Sequence, residues 1–355
     1  MTMTLENFET EGKPTSHRST RSWDNAVRTG RGPYLFQRCA ALVSLSVAVL
    51  VFGILSDSTM RYALVIGIIY AIALIGNNAI TGLLGEINIG TGAVMAIGAY
   101  TVVYLLNNGV DLEIALAGSV LLTAIVGLVL AIPTVRLEGI FTALVTFALA
   151  FAIPDLIVQL DTITGGHSGT PVPFGESLFG VPVSPSDNGW FTLVLIIFTV
   201  LALLSLFLLH RRTGRLLVTI GEAGPAAECF GLRSRWWKVA VWTFAAAHAG
   251  MAGALFGLTV GFLTPDVFPV FLSIILLVGT VVGGARSPIG ALFGGIFVGT
   301  IPPQIQNFVP PESTGMLFGL ALFVMLLAGG KGAGGLLELG ATKLAKLRTN
   351  RQDTR

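Results

Sequence analysis

Charge is what this chain has least of. Asp, Glu, Lys and Arg make up 11% of its 355 residues, where an ordinary soluble domain carries about 25%. A globule of this length with so little charge would lack the polar surface to stay in solution. The remaining balance, a net +2, is too small to imply a nucleic-acid partner, and no basic stripe is interleaved with aromatic residues. Cysteine is nearly absent. Cys39 and Cys229 make no metal spacing, and both fall on the predicted cytoplasmic side, where disulfides are rare. Catalytic patterns are missing too. There is no His-Glu-x-x-His, no Gly-x-Ser-x-Gly and no membrane pair of carboxylates at protease-like spacing. No enzyme, metal site or resident cofactor is expected. The run Gly329-Gly330-Lys331-Gly332-Ala333-Gly334-Gly335 resembles a phosphate loop only superficially, because Met325 stands where its first Gly belongs and Gly332 where Ser or Thr belongs. ATP, if used, would have to be bound by another subunit.

Apolar residues are what the chain has in abundance: 53% of the total, with a mean hydropathy of +0.81. They fall in runs of roughly 17–25, the length that crosses a bilayer as a helix. In lipid the backbone must satisfy its own hydrogen bonds, so such runs become helices. Ten spans are predicted, at 39–55, 62–81, 87–106, 113–133, 139–160, 190–210, 239–262, 267–283, 289–308 and 314–329. The fold class is an all-α polytopic membrane bundle with both termini cytoplasmic. That orientation places 20 of the 21 basic residues inside and only Arg61 outside, as the positive-inside rule requires. Spans two to five then begin outside and spans seven to ten inside; if the halves are related, they are inverted repeats.

Residues 1–37 read as a disordered cytoplasmic tail, because a signal peptide would pass at once from a short basic start to an apolar core. Residues 38–330 form the membrane domain, and 331–355 a basic cytoplasmic tail. Within the domain, 161–189 is the main external loop and 211–238 a cytoplasmic loop. Gly253, Gly257 and Gly261, the pair Gly279/Gly283 and the pair Gly290/Gly294 repeat at four-residue spacing, which lets helix backbones approach closely in lipid. Trp190, Trp236 and Trp237 fall at predicted span ends, where indoles favour the interface.

Three polar segments are candidates for function. Asn77, Asn78, Glu86, Asn88 and Thr91 surround the glycines of the third span. At membrane depth they either line a cavity beside a broken helix or form a tight cytoplasmic turn with Glu86 in water. Thr164, Gly165, Gly166 and Gly169 occupy the external loop, either at the mouth of a path or in a plain connection. In the cytoplasmic loop, Pro225 can open a short helix with Glu222 near its positive end, and Gly231 can cap its end. With Arg233 beyond it, this segment is either a docking element or a solvated loop. Asp155 is the one intramembrane acid that an ion-coupled carrier could use, and it lies towards the outer interface.

Taken together these stretches resemble the LivM type of branched-chain amino acid ABC permeases, within a wider group of LivH, urea, nucleoside and simple-sugar permeases. The resemblance runs from about Ala63 to Leu337. It rests on Gly85-Glu86-Ile87-Asn88-Ile89-Gly90-Thr91-Gly92-Ala93, on Gly98-Ala99-Tyr100-Thr101, on Arg136 through Thr146, on Leu160 through Gly166, and above all on Glu222 through Gly257. It implies a multi-pass subunit of an importer in a bacterial inner membrane. A second, LivH-type permease would share the path, two ATP-binding subunits would bind ATP and Mg, and an extracytoplasmic binding protein would deliver the solute. Branched-chain amino acids are the first expectation for that solute; urea, short amides and aromatic acids are the alternatives, and an ion-coupled carrier or channel is the contrasting class. It also implies that Glu222, Ala226, Ala227, Gly231 and Arg233 dock on the ATPase. Glu86 and Asn88 depart from the Gln and Ser more usual in the group, and a carboxylate beside the path would favour cations or hydrogen-bond donors.

Overall fold

The computed structural model describes residues 33–305, apart from 138, 174, 211 and 286, together with Met316. Residues 1–32, the tenth span (save Met316), the Gly329–Gly335 run and the C-terminal tail lie outside the described residues. The chain divides after Ala41. Residues 33–41 are the opening turns of α1, and the second unit begins at Leu42.

Ten long helices carry the described part: α1 (Pro33–Leu55), α2 (Ser58–Asn78), α3 (Thr91–Asn107), α4 (Leu112–Thr134), α5 (Ile140–Gln159), α6 (Asn188–His210), α7 (Arg212–Cys229), α8 (Ser234–Val260), α9 (Val270–Gly283) and α10 (Pro288–Ile305), with a single helical turn at Asp161–Thr164 besides. Seven stretches are long and apolar enough to cross a membrane, and Thr91–Asn107 and Pro288–Thr300 are shorter apolar helices. Nine of the ten predicted spans therefore have their helix among the described residues.

Burial sorts these helices. In the most apolar window of α2, extended through Leu84, 94% of residues are buried, against 17% for α1 and 28% for α4. α2 is apolar on all sides because it has protein on all sides. It packs on α8 and α10, while α8 packs on α3 and α4. The outward faces of α4 and α5 carry Leu121, Ile125, Val129, Ile140 and Leu144, all exposed, as side chains meeting lipid should be.

Close helix approach depends on glycine. A Cβ at Gly253 would overlap the Met95 carbonyl, one at Gly98 the Gly250 backbone, and ones at Gly279 and Gly283 would crowd α10 near Gly294 and Gly290. Gly261 departs from the predicted packing series. It ends α8 in the left-handed region (φ 77) and its N–H bonds the Gly257 carbonyl, so it is a cap.

Two tight pairings tie the loops between helices. β1 (Thr170–Pro171) pairs antiparallel with β4 (Phe262–Leu263), and β2 (Ser177–Leu178) with β3 (Val181–Pro182). Trp190 corrects an expectation. It is fully buried and its indole N–H donates to Thr259 Oγ1 at 3.1 Å, so it is a bundle residue rather than an interface anchor. Trp236 is exposed. Arg61, the lone basic residue placed outside, is held locally. Its guanidinium donates to the carbonyls of Gly53, Ser56 and Ser186 and so closes the end of α1. Arg61→Gln is expected to lower stability by about 1 kcal/mol, read by thermal unfolding in detergent.

Candidate functional site

α2 does not end as an ordinary helix. Its last turns widen into a π-helical segment, Ala79–Leu84, closed by Gly85 in the left-handed region (φ 71). Such wide turns leave carbonyls off-register and recur at functional sites. Residues 85–90 then run without helix before α3 starts at Thr91. The third predicted span is thus broken, and α3 has its N-terminus inside the bundle.

That exposed helix start is satisfied by side chains. Asn88 Oδ1 accepts from Gly90 N at 2.9 Å, and Asn88 Nδ2 donates to Thr91 Oγ1 at 3.2 Å. Ile89 N donates to Thr146 Oγ1 on α5 at 3.1 Å, and Gly92 N to Ser273 Oγ on α9 at 3.0 Å. Asn77 Nδ2 donates to Thr280 Oγ1 at 2.9 Å and Asn78 Nδ2 to the Ser287 carbonyl at 3.2 Å. Thr280 spends its own proton on the Leu276 carbonyl, which fixes the Asn77 amide orientation and turns Oδ1 elsewhere.

A cavity of about 20 Å³ lies among these elements, room for a water molecule. Its wall includes Asn77 and Ile80 from α2, Asn88 and Gly90 from the irregular segment, Thr91 and Val94 from α3, and Thr146 from α5. Trp242 and Ala246 of α8 close another side. Asn77 Oδ1 is buried with no hydrogen-bond partner. The wall therefore offers a spare acceptor to whatever carries an N–H or O–H, set among apolar side chains and the already bonded polar groups of Asn88, Thr91 and Thr146. At about 20 Å³ the cavity has room for a water rather than for a branched side chain.

Glu86 differs from both readings made of it. It is neither in water nor a bare charge. Its side chain is 7% exposed, Oε1 stands 2.8 Å from Lys238 Nζ, and Oε2 accepts the Trp242 indole N–H at 3.1 Å. The pair is neutral, so it sets no preference for cations. Lys238, taken from sequence as a loop residue, lies inside α8, which begins at Ser234 rather than at 239.

The segment read as a cytoplasmic loop is mostly the helix α7, broken at Ala223 (φ -149, ψ 56). Beyond the break a second helical piece runs through Pro225 to Cys229. It ends with Gly231 at φ 78, Gly231 N bonded to Glu228 O and Leu232 N to Ala227 O, the crossed pair of a Schellman cap. Glu222 and Arg233 are exposed, whereas Ala227 is buried and faces its own chain. A Cβ at Gly221 would collide with the Leu83 and Leu84 carbonyls, so α7 lies directly on the π-helical turn.

Thr164, Gly165, Gly166 and Gly169 are not part of the cavity wall. Thr164 Oγ1 donates to the carbonyls of Ile157 and Leu160, and Gly169 packs against Leu263, so this loop is stitched to α5 and to the α8–α9 connection. Asp155 is exposed and also outside the wall. The residues missed from sequence are Thr146, Lys238, Trp242, Ser273 and Thr280. Each joins the site through a partner far along the chain.

A largely helical bundle, with helices long and apolar enough to cross a membrane and a polar, water-sized chamber where one helix gives way to the next, fits a membrane permease. The chain belongs to the family of branched-chain amino acid transport system permease components, whose pattern matches residues 59–327. It is 31% identical over 284 residues to the high-affinity branched-chain amino acid transport system permease protein LivM of Escherichia coli K12, and 30% identical to that of Salmonella typhimurium. Each match covers 73% of this chain and 66% of the relative. It is 26% identical over 256 residues to the fructose import permease protein FruG of Bifidobacterium longum, covering 69% of this chain and 75% of that one. No solved structure matches the chain.

Proposed function

We propose that this chain is a permease subunit of a binding-protein-dependent ABC importer in the bacterial inner membrane, with branched-chain amino acids as the solute. The observation that supports it most is the chamber at the start of α3, with its single spare acceptor at Asn77 Oδ1, in a chain of this family. An α-amino group has the N–H donors to meet that acceptor, and the apolar part of the wall, Ile80, Val94, Leu130 and Leu149, suits an aliphatic side chain. Transport proceeds by alternating access, because the chamber must enlarge before it admits such a solute. The energy comes from two ATP-binding subunits, which hold ATP and Mg. A related LivH-type permease completes the path, and an extracytoplasmic binding protein supplies the solute. An ion-coupled carrier is disfavoured by the site, whose buried carboxylate, Glu86, is already paired.

The test is purification of the tagged chain from its own host, followed by reconstitution. Recovery of a second permease and ATPase subunits, with ATP-dependent leucine uptake, is the expected result. Uptake by this chain alone, without ATP, would sink the proposal.

α7 is the docking element in this reading. Its exposed side presents Glu222 and Glu228, with the exposed Phe230 in the turn just beyond it, to be seated in a groove of an ATP-binding subunit. Gly231→Val puts a β-branched residue at a positive φ, at a cost of about 1–2 kcal/mol. It is expected to cut ATPase co-purification severalfold while the chain still inserts.

A further inference from the structure

The Glu86 carboxylate joins two parts of the chain that the chamber separates. On α8, Lys238 stands one turn before Trp242, about 6 Å nearer the α7 end. The chamber wall on α8 begins at Trp242 and runs on through Ala245, Ala246 and Ala249. On the other stretch of chain, Glu86 falls between Ile80 and Asn88, both of them wall residues, without lining the chamber itself. Neither member of the ion pair lines the chamber; Lys238 lies beyond it on the α7 side and holds Glu86 there, and the indole that bonds Glu86 is itself wall.

The same end is mechanically continuous with α7. Leu217 and Ile220 of α7 share a buried cluster with Ala79, Ile80, Leu84 and Trp242. The Gly221 backbone rests on the carbonyls of Leu83 and Leu84. Glu86 N bonds back to the Ile80 carbonyl at 3.3 Å. A shift of α7 is thus delivered first to the π-helical turn and next to Glu86.

We propose that Glu86, Lys238 and Trp242 form a latch that seals the chamber towards the α7 face and is released when α7 moves. Glu86 and Lys238 are positioning residues here; they act through Trp242 and Asn88. A buried ion pair suits a latch, because parting the two charges is costly while they stay out of water and cheap once water enters. The proposal rests on reading the chamber as a solute path, but its test needs no transport.

Val94, a chamber-wall residue, is changed to Cys in a chain carrying Cys39→Ser. The exposed native Cys229 on α7 is kept as the marker of its own face. A membrane-impermeant maleimide is applied to inside-out and right-side-out vesicles, and labelling of each cysteine peptide is timed by mass spectrometry. With the latch intact, V94C is expected to label slowly from both faces. Glu86→Gln and Lys238→Met are each expected to raise its rate at least tenfold, only from the face where Cys229 labels. Lys238→Arg, which keeps the charge, is expected to stay slow. Unchanged rates, or an equal rise from both faces, would overturn the latch. Should the charge variants not reach the membrane, Trp242→Phe deletes only the indole donor. A severalfold rise from the Cys229 face supports the latch, and no change overturns it. A chain that failed as an importer subunit would still give the labelling pattern, so the two readings fail separately.

Discussion

Gly253→Val is expected to remove nearly all folded protein from the membrane fraction, while Gly257→Ala leaves recovery close to that of the parent chain. Both glycines sit on α8, one turn apart. At Gly253 the neighbour is the Met95 backbone carbonyl on α3, and any Cβ would overlap it. A carbonyl cannot rotate away as a side chain can. The helices must separate, and with them go the packing contacts that hold helices together in lipid. Overfilling a core that can yield costs about 1–3 kcal/mol; here the obstruction is backbone, so the penalty exceeds that range. At Gly257 a Cβ would stand 3.3 Å from the Ala99 Cβ, a gap that a few tenths of an ångström of movement relieves. Size-exclusion recovery in detergent measures both. Normal recovery of Gly253→Val would refute the close α3–α8 approach.

Asn77→Ala is expected to lower leucine uptake at least tenfold in proteoliposomes of the whole complex, without a comparable loss of protein. The substitution deletes the spare acceptor in the chamber and one hydrogen bond to Thr280. The bond is worth about 1 kcal/mol of stability, which a large bundle tolerates. The acceptor matters more, since a buried polar contact to solute is lost outright and each tenfold corresponds to about 1.4 kcal/mol. Thr280→Val offers the contrast. It removes the anchor of Asn77 but not Oδ1, so uptake is expected to fall less. Full uptake by Asn77→Ala would take Asn77 out of the path.

The membrane helices were legible from sequence because a span announces itself locally, through an unbroken apolar run. The break before α3 was legible for the same reason, in Glu86, Asn88 and the glycines between Gly85 and Gly92. What was hidden depended on partners. Glu86 looked like a free charge because Lys238 lies 152 residues away, on a segment whose polarity marked it as loop. α8 in fact starts at Ser234, and that brings the lysine under the protein. Trp190 was misplaced by the same kind of ignorance, since position at a span end says nothing of the Thr259 hydroxyl that receives its N–H. The three glycines of α8 share one spacing yet have different neighbours, and Gly261 turned out to be a cap.

The neutrality of the Glu86–Lys238 pair has an electrical consequence. An intact ion pair carries no net charge, so the resting potential does no work on the latched state. A chain with only one of the two partners has a net charge at that place. Carrying one elementary charge across the whole field is worth about 2.3 kcal/mol per 100 mV, and a partial crossing a proportionate share. Opening would then respond to voltage. While the carboxylate and ammonium stay paired, that place in the bundle therefore adds no net charge for the membrane potential to act on.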